Sequence, residues 1–376
     1  MFVKTLECSK CHAHYSHKEI HSVCTKCGST LLVKYDLGTM KKTLKKGHIP
    51  GREGILWRYF EFLPVKHKKD IITLGEGFTP ILRSKTYNNL WIKDESLNPT
   101  GTFKARGLAV AVSKAKEFGL KDIVMPSAGN AGAALSFYCA RAGIKAHVYM
   151  PEDSPEVCKR ECRAAGADIH FVKGNIKDAG ARAKIESESN WFNMSTLKEP
   201  YRLEGKKAMG LEIAEYFNWE PPDAVIYPTG GGTGLIGIWK AFQELEEMDW
   251  INKNPQMISV QASGCAPIVK AFEQNKNTAD VWKNPHTIAA GLKVPHPFAD
   301  TLILKTLKDS KGTAVTVTDE EIVKSIKDLA QYEGIYPCPE GAATYAAFKN
   351  LVSSGYLSKD ERILLINTGS GLIYPF

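Results

Sequence analysis

The chain has 376 residues, 43% of them hydrophobic and 24% charged, with a formal net charge of +8. That length holds two to three domains and a large core, and no apolar run approaches the length of a membrane span. A charge this mild suits an anionic small molecule as well as nucleic acid. The basic cluster at 41–46 carries none of the interleaved aromatic residues that a nucleic-acid surface needs, so it reads as solvated surface and no nucleic-acid partner is expected.

The first residues, Met-Phe-Val-Lys-Thr-Leu-Glu-Cys, lack the apolar core of a signal peptide, and a soluble, cytoplasmic protein without a membrane partner is expected. Cys8-x2-Cys11 and Cys24-x2-Cys27 are two CxxC knuckles twelve residues apart. Each is a tight turn that can aim two thiolates at one tetrahedral zinc. Cys8, Cys11, Cys24 and Cys27 are therefore the expected ligands of a structural zinc, in a ribbon over 1–38 with a strand near 30–35. Cys139, Cys158, Cys162, Cys265 and Cys338 read as scattered core thiols.

A basic stretch and an aromatic run at 57–62 lead to Leu-Gly-Glu-Gly-Phe-Thr-Pro-Ile at 74–81 and a strand near 90–93. Asn-Pro-Thr-Gly-Thr-Phe-Lys at 98–104 then feeds an apolar, helix-like run. Lys104 stands at the base of that helix, where a partly desolvated amine gives up its proton more readily. A neutral amine can form a Schiff base with an aldehyde cofactor and later move protons. From there strands alternate with helices: strands at 122–125, 146–150, 224–227, 257–260 and 363–366, and a helix at 131–142. Such spacing predicts parallel sheets covered by helices on both faces.

Three loops follow strands, where open α/β sheets place ligands. In Pro-Ser-Ala-Gly-Asn-Ala-Gly-Ala at 126–133, small residues let the backbone approach a ligand, and Asn130 can hydrogen-bond a ring hydroxyl. In Pro-Thr-Gly-Gly-Gly-Thr-Gly at 228–234, successive N–H groups ahead of a helix make a phosphate cradle from Gly230, Gly231, Gly232, Thr233 and Gly234. Gly232-x-Gly234-x-x-Gly237 also matches the dinucleotide fingerprint, but the next strand ends in Gln261 and not in the acidic residue that would hold a ribose. In Asn-Thr-Gly-Ser-Gly at 367–371, the Thr368 hydroxyl can face a ring nitrogen.

Together these residues resemble the fold type II pyridoxal-phosphate enzymes, and within them the threonine synthase family, over about residues 70–376. The resemblance implies a two-domain α/β fold, with 39–100 and 218–376 forming a large domain and 101–217 a small one, the zinc ribbon being an appendage. It implies that Lys104 carries pyridoxal 5′-phosphate, Asn130 meets its ring hydroxyl, residues 230–234 bind its phosphate and Thr368 meets its ring nitrogen. It further implies that Arg202, in Pro-Tyr-Arg-Leu-Glu-Gly at 200–205, binds a substrate phosphate with Ser127, Ser195 and Thr196, and that Lys206 or Lys207 stands nearby. The expected reaction turns O-phospho-L-homoserine and water into L-threonine and phosphate. The alternatives within the fold are a serine/threonine dehydratase and a β-replacement synthase of the cysteine or cysteate type. Departures from the family pattern are Ala105 after the lysine, Ala131 after the loop asparagine, and Asn-Met-Ser-Thr at 193–196 in place of a tighter Asn-Ser pair. Glu340 is placed either near the cofactor or as a helix cap. Relatives of this type are usually dimers, which leaves a homodimer open.

Overall fold

The computed structural model describes residues 1–187 and 191–374. The chain divides into two compact units. One comprises Met1–Gly77, Asn98–Thr100 and Lys104–Lys206; the other comprises Phe78–Leu97, Gly101–Phe103 and Lys207–Phe376.

The first unit begins with an antiparallel three-stranded sheet in which the strand Val3–Cys8 lies between His14–Tyr15 and Leu31–Tyr35. Leu6, Leu31 and Val33 bury the inner side of this small sheet. Two hydrogen bonds tie it to the rest of its unit: Thr30 Oγ1 donates to the Leu197 carbonyl at 2.9 Å, and the Tyr35 hydroxyl donates to Glu204 Oε2 at 2.8 Å. The remainder of the unit is built on an all-parallel four-stranded sheet in the order Asp168–Val172, Lys145–Pro151, Asp122–Pro126, Phe192–Asn193. The helix Glu156–Ala164 buries Cys158 and Cys162 against Ala133, Val148 and Met150. The helix Ile176–Ser187 packs Ala179 and Ala183 against Val124 and Tyr149.

The second unit holds a six-stranded sheet in the order Thr313–Val317, Gln256–Ala262, Ala224–Pro228, Ile363–Asn367, Leu90–Asp94, Ile81–Arg83. All neighbours pair in parallel except the edge strand Ile81–Arg83, which runs antiparallel. The two central strands, Ala224–Pro228 and Ile363–Asn367, are buried at every position and apolar but for Asn367, as burial on both faces requires. On one side the helix Pro339–Ser353 sets Ala342, Ala343, Ala346 and Ala347 against Leu90, Ile226, Ile258 and Leu365.

The strands read from the pattern at 90–93, 122–125, 146–150, 224–227 and 363–366 lie within one residue of their observed bounds, and the one read at 257–260 spans Gln256–Ala262. Cys139, Cys158, Cys162, Cys265 and Cys338 are buried free thiols, as expected. Among the described residues no helix is long and apolar enough to cross a membrane.

Candidate active site

In the first unit Lys104 is the first residue of the helix Lys104–Glu117, and Asn130 is the first of Asn130–Ala142. These two helices pack together. The start of the Lys104 helix is held in two ways. The Lys206 ammonium donates to the Lys104 carbonyl at 3.1 Å. Gly107 lies where a Cβ would come within 2.8 Å of the Arg202 carbonyl, and a Cβ on Gly205 would strike the Arg106 carbonyl. Both glycines are therefore imposed by a close helix crossing.

Ser127 organises its own loop, with its Oγ accepting from the Gly132 N–H at 2.8 Å and donating to the Gly129 carbonyl at 3.0 Å. Asn130 Oδ1 lies 3.8 Å from Cys158 Sγ. Ser195 is buried and hydrogen-bonds Asn193, whereas Thr196 is exposed. Arg202 is buried, its Nη1 donating to the Met194 carbonyl at 2.9 Å. Glu199, which the sequence did not single out, accepts from the backbone N–H groups of Tyr201 at 2.7 Å and Arg202 at 3.1 Å. It so caps the helix Arg202–Tyr216. Burial pushes its carboxyl up to about 7 despite the Arg202 guanidinium, whose charge favours ionisation.

Glu76, from the Gly-Glu-Gly-Phe-Thr-Pro segment, is another buried carboxylate of this unit. Trp57 Nε1 donates to it at 2.9 Å, the Tyr138 hydroxyl at 2.7 Å and the Leu74 N–H at 2.9 Å. The segment's glutamate is thus a structural knot, and Gly77 after it has a left-handed φ of 89° with Leu56 filling the space of a side chain.

The cysteines Cys8, Cys11, Cys24 and Cys27 converge, with Sγ separations of 3.4 Å for Cys8–Cys27, 3.5 Å for Cys11–Cys24 and 3.6 Å for Cys11–Cys27. Four thiolates at 2.3 Å from one zinc would stand about 3.8 Å apart. The Lys10 and Cys11 N–H groups both lie 3.4 Å from Cys8 Sγ, the turn geometry that supports a thiolate. This donor set fits zinc.

In the second unit the strands Ala224–Pro228 and Ile363–Asn367 are parallel neighbours, so the turns that follow them leave the same edge of the sheet. The first turn runs into the helix Thr233–Glu247, capped by Gly232 with φ 77°. First-turn N–H groups have no carbonyl ahead of them within the helix and are available to an anion. Packing requires glycine here as well. A Cβ would strike the Gly291 carbonyl at Gly230, Ile303 at Gly232 and the Tyr227 ring at Gly234. Gln261 is fully buried, its amide donating to the Thr229 carbonyl at 3.1 Å and its Oε1 accepting from Ile268 N–H at 2.8 Å. Both ends of this side chain are occupied in bracing the turn, which removes the dinucleotide reading.

Thr368, after the second strand, is buried with its Oγ1 3.4 Å from Cys338 Sγ. Its carbonyl accepts from the Phe103 N–H at 3.0 Å, and Thr102 bridges Gly369, so the residues just before Lys104 are pinned to this turn. The cap of the helix Pro339–Ser353 is Cys338, whose Sγ accepts from Gly341 N–H at 3.3 Å. Glu340 instead accepts the Gly291 N–H at 2.6 Å. Lys207 pairs with Glu244 at 2.8 Å, and Lys93, fully buried, pairs with Glu212 at 2.7 Å.

A lysine thus heads a helix in the first unit, and the second holds a braced glycine turn at a helix N-terminus beside a buried hydroxyl at the neighbouring strand end. Residues 72–369 match the family model described as pyridoxal-phosphate dependent enzyme, and the chain belongs to that family. It is 38% identical over 375 residues to the threonine synthase of Methanocaldococcus jannaschii, covering 98% of this chain and 92% of that one. It is 35% identical over 377 residues to the threonine synthase of Methanosarcina acetivorans, again covering 98% and 92%. Within the class it therefore sits among the threonine synthases. The solved structure of maize serine racemase has the same fold, with a TM-score of 0.69 at 21% identity over 78% of this chain and 88% of that one.

Proposed function

We propose that this protein converts O-phospho-L-homoserine and water to L-threonine and phosphate. The observation that carries the reading is the 38% identity to an archaeal threonine synthase along nearly the whole of both chains. The residues fit pyridoxal phosphate: Lys104 would bond its aldehyde carbon, Asn130 its ring hydroxyl, the N–H groups of 230–234 its phosphate and Thr368 its ring nitrogen. When bound, the cofactor supplies an electron sink that acidifies first Cα and then Cβ of an amino-acid substrate.

The chain's own groups do the rest. The Lys104 amine takes the proton from Cα and returns protons as the reaction proceeds. Thr368 presents a neutral hydroxyl where a carboxylate would draw a proton onto the ring nitrogen, and this favours elimination and addition over transamination. Ser127, Ser195, Thr196 and Arg202 are the proposed contacts of the substrate phosphate, with Arg202 as the charge-assisted partner. The buried setting of Arg202 supports the view that it also organises the loop that bears Ser195. Zinc is proposed on Cys8, Cys11, Cys24 and Cys27. Four thiolates leave no open position, so its role would be structural.

The deciding experiment incubates the holoenzyme with O-phosphohomoserine, O-phosphoserine, threonine and serine, and scores phosphate and keto-acid release. Phosphate release with threonine as product is expected from the first alone. Keto acid from threonine without phosphate would replace the reading by a dehydratase. Borohydride reduction followed by peptide mass spectrometry is expected to place the cofactor on Lys104, and Lys104→Ala to leave no covalent adduct.

A further inference from the structure

We propose a second metal site in the first unit, built from His147, Asp168 and His170 and suited to zinc. His147 lies on the strand Lys145–Pro151, and Asp168 and His170 on the adjacent parallel strand Asp168–Val172. In register, His147 pairs with Asp168 and Tyr149 with His170. Side chains two apart on a strand share a face, so all three ligands project from one side of the sheet.

The ligand atoms lie within 4.8 Å of one another. Asp168 Oδ2 is the hub, 3.4 Å from His147 Nδ1 and 3.5 Å from His170 Nε2. Ligands 2.0–2.1 Å from a tetrahedral zinc stand about 3.4 Å apart, whereas an octahedral ion with equal bonds brings neighbours to about 2.9 Å. The observed spacing matches the tetrahedral case. Neither imidazole nitrogen has a hydrogen-bond partner, although both atoms are buried.

The tautomer of His147 supplies an independent argument. Its Nε2 lies 2.9 Å from Asp122 Oδ1, on the strand to its other side. A carboxylate there accepts the Nε2 proton and leaves the lone pair on Nδ1, the outer-sphere arrangement that orients metal-binding histidines. In that neutral tautomer Nδ1 turns its lone pair toward Asp168 Oδ2 at 3.4 Å, and a cation there would bridge the two donors. The His147 side chain is 2% exposed, and its ring is stacked on Trp191 at 3.6 Å and 8°. It is therefore preset and not free to swing away. Asp168 and His170 are 43% and 33% exposed, which gives the ion an entry path and leaves a fourth position for water. Lys145, 3.6 Å from Asp168, is the cation that now neutralises the carboxylate, and its largely exposed side chain can yield to a metal.

In register His147 is level with Val124 and His170 with Pro126, while the loop with Ser127 and Asn130 leaves the end of the strand Asp122–Pro126. His170 lies on a strand two removed from the one that leads into Ser127, about 9.6 Å across the sheet. The site shares no residue with the proposed cofactor contacts of its unit or with the four-cysteine cluster.

The test is equilibrium dialysis of the holoenzyme against zinc, followed by metal analysis, on the native protein, Asp168→Asn and His170→Ala. Both substituted positions are partly exposed, so the fold is expected to survive. Two zinc ions per native chain and one in either variant are expected. Cobalt supplies a second readout: bound beside the His147–Trp191 stack, it should quench Trp191 fluorescence saturably, and Trp191→Phe or His170→Ala should remove that component. A native stoichiometry of one, or a second ion and quenching that persist in His170→Ala, would overturn the proposal.

Discussion

Glu199 and Arg202 set the residue-scale energetics of the first unit. A glutamate has an ordinary value of 4.5, and burial raises that of Glu199 to about 7. Below pH 4.5 the carboxyl is protonated in both folded and unfolded chains. Between about 4.5 and 7 the unfolded chain releases a proton that the folded chain retains, so stability falls as pH rises through that window and is level above it. The loss is roughly 3 kcal/mol. Glu199→Gln keeps an acceptor for the Tyr201 and Arg202 N–H groups and is expected to abolish that part of the slope. Thermal midpoints of the two proteins at pH 5 and pH 8 check it. Arg202→Ala is expected to leave Glu199 without its compensating charge and cost about 3 kcal/mol of stability. It should also cost about a hundredfold in kcat/KM for O-phosphohomoserine, with cofactor content unchanged. Native kcat/KM in that variant would remove Arg202 from the substrate contacts.

At the scale of elements, the four-cysteine cluster and the glycine turn carry the clearest expectations. Cys24→Ser should release one zinc per chain and make the segment before Leu37 protease-sensitive, because the small sheet buries few side chains of its own. Gly232→Ala forces a left-handed residue and a collision with Ile303, and is expected to lower cofactor content, read from absorbance of the holoprotein. These two features were legible in the sequence because their chemistry is local: a knuckle is four residues long, and a glycine turn announces itself after an apolar strand. The strands at 90–94 and 363–367 were legible for the same reason, as short apolar runs. Asp168–Val172 and Thr313–Val317 were not read, since Asp168, His170, Thr313 and Thr316 interrupt the apolar pattern. Nor could the sequence reveal that Lys93 is fully buried. Its partner Glu212 is 119 residues away, and only the fold joins them.

For the molecule as a whole, the division of the chain matters more than its length. The second unit is not a contiguous stretch, because Phe78–Leu97 supplies the strand Leu90–Asp94 that pairs with Ile363–Asn367. A fragment of residues 207–376 therefore exposes an unpaired, apolar sheet edge and is expected to aggregate. Joining residues 78–103 to its start through a flexible linker should restore a soluble monomer, as judged by size-exclusion chromatography. The pinning of Phe103 to the Thr368 carbonyl, and of Ser370 to Gly101, has a consequence in time as well as in space. The residue after Phe103 is the lysine that would take the cofactor, yet the anchor of its motif, at residues 368–370, is synthesised long after it. Until those residues are made, the lysine's lead-in lacks these backbone partners. A chain cut short before residue 368 is thus expected to leave the lysine's lead-in unanchored.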